Sequence, residues 1–453
     1  MKKLLVLALA AVSTLSSISS LYAADIKFEG DFRVRGIYTN NTADANKDAN
    51  DQLAFADGRF RLKTTATAGI TSGVVVLDFT NAFRDPSQTG AGGVDCSVTG
   101  CRTGNYRFGS ANFGGSYGIV GVRQAYLALD MNVVKLAFGR KPLMLGHGLI
   151  LDDTVDAIVA KLMAGPLEVV LADAKLLDIN AALAPTGGGT GSDTDLFITK
   201  FGYKHEEHNL GLFVTYLKDR GPSFISFSPT PDKSDLWTVG LTADGKLGPV
   251  SLMTEVDFLT GKADVIGGTS TDLKGTNVLI WGGLDAGMVD VSLALLYTSG
   301  DDSTKANERN VNGISGNFVL GNILINDNVR SDRDGQCASA GGLRLGSGGS
   351  FCVAGLGVTG VKLGIGIPGP IMPKEGHTEL AVIWAQTTKE AIPGADKNLG
   401  IEIDLNHRHK LDQNVAINVN LGYLISGDAW KTLGGLGTTD NQLKGILSLN
   451  YMF

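Results

Sequence analysis

Apolar and polar side chains alternate with a period of two over much of the chain. Ile26, Phe28, Gly30, Phe32, Val34, Gly36 and Tyr38 interleave with Lys27, Glu29, Asp31, Arg33 and Arg35. An extended segment built this way carries one greasy face and one charged face. The next segment sets Phe60 and Leu62 against Arg59, Arg61, Lys63, Thr65 and Thr67. A tight turn at Ile70–Gly73 then leads to Val75, Leu77 and Phe79, with Asp78 and Thr80 on the other parity. The last stretch repeats the division: Leu443, Leu447, Leu449, Tyr451 and Phe453 share one side, and Lys444, Ser448 and Asn450 the other.

Long polar connections, strands and short turns follow one another in a fixed rhythm. The long connections centre on 40–51, 85–117, 142–154, 178–193, 218–234, 260–274, 300–352 and 427–440. Short ones lie near Asp130–Asn132, Ala164–Pro166, His205–His208, Asp244–Gly248, Asp285–Gly287 and Arg408–Gln413. Strands of opposite faces joined this way predict an all-β chain: a single transmembrane antiparallel β-barrel with long outer loops and short inner turns. The clear segments number 17, which leaves the Arg408–Gln413 turn on the wrong side of the membrane. The weak, Gly-interleaved segment Ala354–Ile367, followed by Pro368–Pro373, restores the parity. The prediction is therefore about 18 strands, at roughly 24 residues per strand and connection. Sixteen is the alternative, because 155–163 and 167–176 alternate poorly.

The N-terminus supplies an address. Lys2 and Lys3 precede an apolar run from Leu4 to Val12, and small residues lead to Ala23. This is the layout of a secretory signal peptide over 1–23, leaving 24–453 as one barrel domain without linker or repeat. The run is too short to cross a bilayer as a helix. Gly is frequent (61) and Pro scarce (12), as many turns and few strand breaks require. The net charge of −7 becomes −9 once Lys2 and Lys3 are removed, which argues against a nucleic-acid partner. Four cysteines form two local pairs, Cys96 with Cys101 and Cys337 with Cys352, in Gly/Ser/Asp-rich segments. In an exported chain these read as loop disulfides, and no His lies near either pair to suggest zinc.

The candidate chemistry is electrostatic. Arg33 and Arg35 share a side with Arg59, Arg61 and Lys63 on the next strand, forming a basic wall. Like charges facing one another are destabilising, so the wall needs partners or a purpose. Glu29, Asp31, Asp57 and Asp78 are the nearby partners; the alternative, compatible reading is a stripe that draws anions through a pore. Glu255, Asp257, Glu402 and Asp404 alternate with apolar residues on later strands and supply inward acids. His205, His208, His407 and His409 flank turns and read as solvated, so no metal is expected; Asp301 and Asp302 are a weak candidate for a divalent cation. No Ser-His-Asp or Cys-His order suggests catalysis, and no Cys-x-x-Cys-His motif suggests haem, so no cofactor is expected.

The closing segment resembles the last strand of Gram-negative outer-membrane barrels, whose terminal Phe and alternating apolar residues form the assembly signal. By that resemblance Tyr451 and Phe453 are read by a barrel-assembly machinery. Phe32–Gly36 (Phe-x-Val-Arg-Gly), Arg123–Tyr126 (Arg-Gln-Ala-Tyr) and the stretch Phe138–Asp153 resemble large substrate-selective and alginate-export-type porins. The resemblance implies a third loop folded into the pore, with His147, Asp152 and Asp153 at a constriction and Arg123 and Arg140 lining the path. It further implies an outer-membrane protein, not an enzyme, in contact with lipid and lipopolysaccharide. Such a chain would pass small hydrophilic solutes and ions by passive diffusion, with anions favoured by the basic wall, and homotrimers are one form such proteins take. A barrel enzyme, a non-conducting structural or adhesion barrel, and the sheath of an electron-transfer conduit are the competing readings.

Overall fold

The first and last strands of the chain meet. In the computed structural model, residues 24–42, 52–82, 119–179, 192–220, 231–265, 268, 270–301, 308–314, 318–325, 356–369, 376–433 and 438–453 are described. The strands in order are β1 (Asp25–Asn40), β2 (Leu53–Ala68), β3 (Thr71–Ala82), β4 (Ile119–Met131), β5 (Val134–Leu145), β6 (Leu151–Ala164), β7 (Leu167–Ile179), β8 (Ser192–His205), β9 (His208–Asp219) and β10 (Pro231–Leu247). They continue as β11 (Val250–Val265), β12 (Thr271–Asp285), β13 (Asp290–Thr298), β14 (Glu308–Asn310), β15 (Val358–Pro368), β16 (Gly376–Thr387), β17 (Asn398–Lys410), β18 (Val415–Ser426) and β19 (Gln442–Met452). β1 pairs with β19 from Asp31↔Met452 to Asn40↔Leu443 and with β2 on its other edge, so the sheet is a closed ring. The three-residue β14 runs parallel to β12 above the end of β13 and is not a wall strand. The wall is an 18-stranded antiparallel barrel, which excludes the sixteen-strand alternative. The weak segment is β15, paired on both edges with β13 and β16.

The barrel is greasy outside. Phe28, Phe32, Phe258, Leu380, Leu447 and Leu449 stand exposed on the outer face, while Arg33, Asp78, Glu255 and Glu402 lie on the inner one. At the seam, Phe453 donates its N–H to the Gly30 carbonyl (3.1 Å) and accepts the Gly30 N–H (2.9 Å). Its ring stacks near Phe60 (6.4 Å) and Tyr451 (5.8 Å). A Cβ on Gly30 would come within 2.3 Å of that ring, so a larger residue would push the aromatic off this seat. Gly30→Val should therefore lower the yield of the compact, heat-modifiable form on unheated gels; an undiminished yield would show that the seat is dispensable. The predicted signal peptide (1–23) and all four cysteines lie outside the described residues.

Much of the interior is filled. The connection expected to be long at 142–154 is a five-residue tip, 146–150, and Asp152 and Asp153 lie within β6. Pro142 lies within β5, opposite Thr154 on β6. β4 stops pairing with β5 at Arg140, so among the described residues that edge of β5 has no partner strand above that point and tolerates a proline. Leu145, Ile150 and Leu151 pack on the inner faces of β5–β12 together with Val311 and Ile314. Leu149, Phe318, Leu320, Leu324 and Ile325 pack on the inner faces of β12–β18. The 300–352 connection therefore folds inwards over its described part instead of standing outside the barrel, and the Ile314 N–H ties it to the Ile150 carbonyl (2.8 Å).

Candidate functional site

Two buried acidic pairs fasten these inward segments. Glu255 and Asp257 are fully buried on β11. The Glu255 carboxylate accepts the His147 N–H (2.5 Å), and the His147 ring reaches the Thr254 carbonyl (3.1 Å) and Asp244 (3.2 Å). Gly146, at φ +62, lies against Glu255 so closely that a Cβ would sit 1.9 Å from its oxygen. Asp257 accepts from Asn277 (3.2 Å), whose amide also donates to the Asn312 carbonyl (2.7 Å). A knot of Ser299, Asn310 and Asn312 continues this fastening upward. Beside it Asp301 accepts the Asn310 N–H, and burial pushes the Asp301 carboxyl up to about 6.

The second latch is on β17. Glu402 accepts the backbone N–H groups of Ile323 and Leu324, each at 2.6 Å, and Asp404 accepts that of Asn322 (3.0 Å). Three successive amides thus point at two adjacent inward carboxylates, while Leu320 and Ile325 close the turn (2.9 Å). Glu402 and Asp404 are fully buried, so the four later acids expected along the pore lie beneath the segments they hold. Alternation placed them on the inner face; what covers them was missed. The signal was present in Phe318-Val-Leu-Gly-Asn-Ile-Leu-Ile325, an apolar run inside a connection read as external.

The sector bounded by β18, β19 and β1–β4 has a different lining. Arg33 stands opposite Arg59 across β1 and β2, and opposite Asn450 on β19; Arg35 stands opposite Ser448. Arg59 binds Asp31 (2.6 Å), Arg61 binds Asp78 (2.8 Å), Arg123 approaches the same Asp78 (3.9 Å), and Lys63 binds Glu29 (2.8 Å). Arg123 joins the wall because β4 bulges there: Val122 and Gln124 pair with successive residues of β3 and leave Arg123 between them. Six inward cations (Arg33, Arg35, Arg59, Arg61, Lys63, Arg123) stand with four acids (Glu29, Asp31, Asp57, Asp78) on these strands, Asp57 in register with Arg35. Pairing relieves the repulsion expected from the sequence without cancelling the excess. The side chains of Arg59, Arg61 and Arg123 remain 20%, 24% and 40% exposed, against 0% for Glu255, Asp257, Glu402 and Asp404. Beside the wall, Asn406, Asn418, Asn420, Ser448 and Asn450 form a neutral amide and hydroxyl lane.

Arg140 does not join the wall. It faces Asp156 (3.7 Å) in a row on the parity of the outward-facing Leu127 and Ile158. Plain alternation from Phe138 gives the same side, in an unbroken register with β4 and β6, away from the path that the resemblance implies. Among the turn histidines, His407 and His409 stack at 6.3 Å and His407 bonds Thr378 (2.8 Å), while His205 and His208 face each other in register.

Solved structures share this fold. OccK8 (OprE) of Pseudomonas aeruginosa is 10% identical, with a TM-score of 0.54 covering 95% of this chain and 98% of that one. A BenF-like porin from Pseudomonas fluorescens Pf-5 is 10% identical, with a TM-score of 0.55 and the same coverage. P. aeruginosa OpdK, solved with vanillate, is 12% identical, with a TM-score of 0.52 covering 94% and 98%. At such identities the likeness is one of fold. No protein-family model matches the chain, and no curated protein matches its sequence.

Proposed function

We propose that the chain is an outer-membrane channel for passive diffusion of small hydrophilic solutes, and that it favours anions. The carrying observation is an asymmetry of access: the basic wall keeps its side chains partly open to the lumen, while four inward acids are closed over. A greasy exterior around a charged interior suits a barrel in lipid, and a polar lumen suits an aqueous path. In a narrow low-dielectric passage, an excess of fixed cations raises the local concentration of anions. The shared fold with porins supports a channel over a barrel enzyme. OpdK was solved with vanillate, a carboxylate-bearing aromatic, which is the kind of solute such a wall would draw.

The path would run beside β1–β4, flanked by the amide lane and narrowed by the 146–150 tip and the 318–325 segment. Small anions would pass from one guanidinium to the next, each contact weak enough to release because Arg59, Arg61 and Arg123 already lean on Asp31 or Asp78. Swelling of liposomes bearing the purified chain tests this. Carboxylates should enter faster than neutral or cationic solutes of equal size, and Arg59→Gln with Arg61→Gln should erase that preference. Equal rates for all three charges would contradict the anion reading, and no swelling with any solute would contradict the channel.

A further inference from the structure

A second charged array lies on the outside of the barrel. Lys175, Asp195, Lys218, Asp235, Lys262 and Asp272 are register partners on six successive strands, β7 to β12, and their signs alternate without a break. Their parity is that of the exposed Leu171, Phe197, Trp237 and Phe258, so the row faces away from the lumen. Lys175 meets Asp195 at 2.8 Å; just beyond the row, Arg220 meets Asp235 (2.7 Å) and Lys233 meets Asp264 (3.0 Å).

Its depth is set by aromatics. Two residues closer to the barrel middle, Phe197, Tyr216 and Trp237 stack side by side at 6.2 and 4.7 Å, and the Tyr216 hydroxyl donates to Asp235 (2.5 Å). Aromatic belts of this kind sit at the boundary between hydrocarbon and headgroups. The charges above them therefore lie at headgroup level, where exposure on the outer wall costs far less than it would at the midplane. The other side of the barrel is different: its described outward positions near the strand ends include Tyr38, Tyr297, Ile401, Ile425 and Leu443, all uncharged.

We propose that the β7–β12 row seats the phosphates of outer-leaflet lipid headgroups together with the divalent cations that bridge them. A row of lysines alone would compete with those cations, and a row of aspartates alone would repel the phosphates. An alternating row is complementary to a lattice that itself alternates, with ammonium groups donating to phosphate oxygens and carboxylates facing the bridging ion. Neighbouring strands stand about 4.8 Å apart, so like charges recur about every 9.6 Å across the row. The inference rests on the outer-membrane reading above, but it concerns a surface that takes no part in conduction.

Native mass spectrometry of the full chain in detergent, with a diphosphorylated glucosamine lipid and magnesium, tests it. The wild-type chain should retain the lipid, and a chelator should strip it. Lys175→Gln, Lys218→Gln, Lys262→Gln should weaken retention about tenfold, the loss of one or two charge-assisted hydrogen bonds. Asp195→Asn with Asp235→Asn should leave residual binding that no longer responds to magnesium. Lys200→Gln, on the inward parity of Leu196 and Ile198, serves as the control and should retain lipid fully. Lys218→Gln alone covers the event that the triple variant folds poorly, and should show an intermediate loss. Lipid retention unchanged in the folded variants, with only a lower melting temperature, would reduce the row to a cross-strand brace and overturn the proposal. Unaltered conductance in the same variants would separate that failure from a failure of the channel reading.

Discussion

The Glu402→Ala, Asp404→Ala double variant is expected to conduct in larger steps than the wild-type chain. Burying Phe318, Leu320, Leu324 and Ile325 favours the inward position of their segment by at most about 6–12 kcal/mol. Fixing the backbone from 318 to 325 costs about 1–2 kcal/mol per residue, which is of the same size. The bonds from Asn322, Ile323 and Leu324 to the two carboxylates therefore decide the balance. Removing both acceptors leaves three amides unsatisfied at about 1–3 kcal/mol each, enough to release the segment. Glu402→Gln keeps one acceptor oxygen and should give brief openings to the larger level. Single-channel recordings read both, and amide exchange at 322–324 should quicken in parallel. A step distribution identical to wild type, with those amides still protected, would show that the carboxylates do not hold the segment.

Val34→Arg should destabilise the barrel by about 2–4 kcal/mol, because it sets a cation against hydrocarbon near the midplane. Val34 is central in β1, between Gly58 and Leu449 on its two neighbours, and shares its outer face with Phe32, Leu447 and Leu449. Arg33→Gln, one residue away on the inner face, should change stability by about 1 kcal/mol or less, since a partly exposed charge in an aqueous lumen contributes little. Urea titration in lipid vesicles, read by tryptophan fluorescence, compares the two. Equal losses at both positions would mean that the two faces do not meet different solvents.

The sequence exposed this barrel most clearly where one face meets oil and the other meets water. β1 and β2 carry a charge or hydroxyl at nearly every inward position, and their alternation predicts both the strands and the wall. β6 and β7 alternate poorly for a physical reason: Val155, Ala157, Val159, Ala172, Ala174 and Leu176 face inwards but pack against Ile150 and its neighbours instead of water. Where a loop fills the lumen, the inner face becomes apolar too, and the period-two contrast fades. The same filling conceals the role of Glu255 and Glu402. Alternation assigns a side chain to a face but does not say which distant segment will lie upon it. Arg123 joins the wall through a bulge that local pattern does not carry, whereas Arg140, set on the path by the resemblance, lies on the outward parity that plain alternation from Phe138 gives.

The most direct test of the central claim is the reversal potential of single channels in a planar bilayer across a tenfold potassium chloride gradient. The expected potential has the sign of chloride preference, moves towards potassium in Arg33→Glu with Arg59→Glu, and leaves the barrel folded. A wild-type channel that prefers potassium, or one whose potential ignores both substitutions, would contradict conduction along the arginine wall.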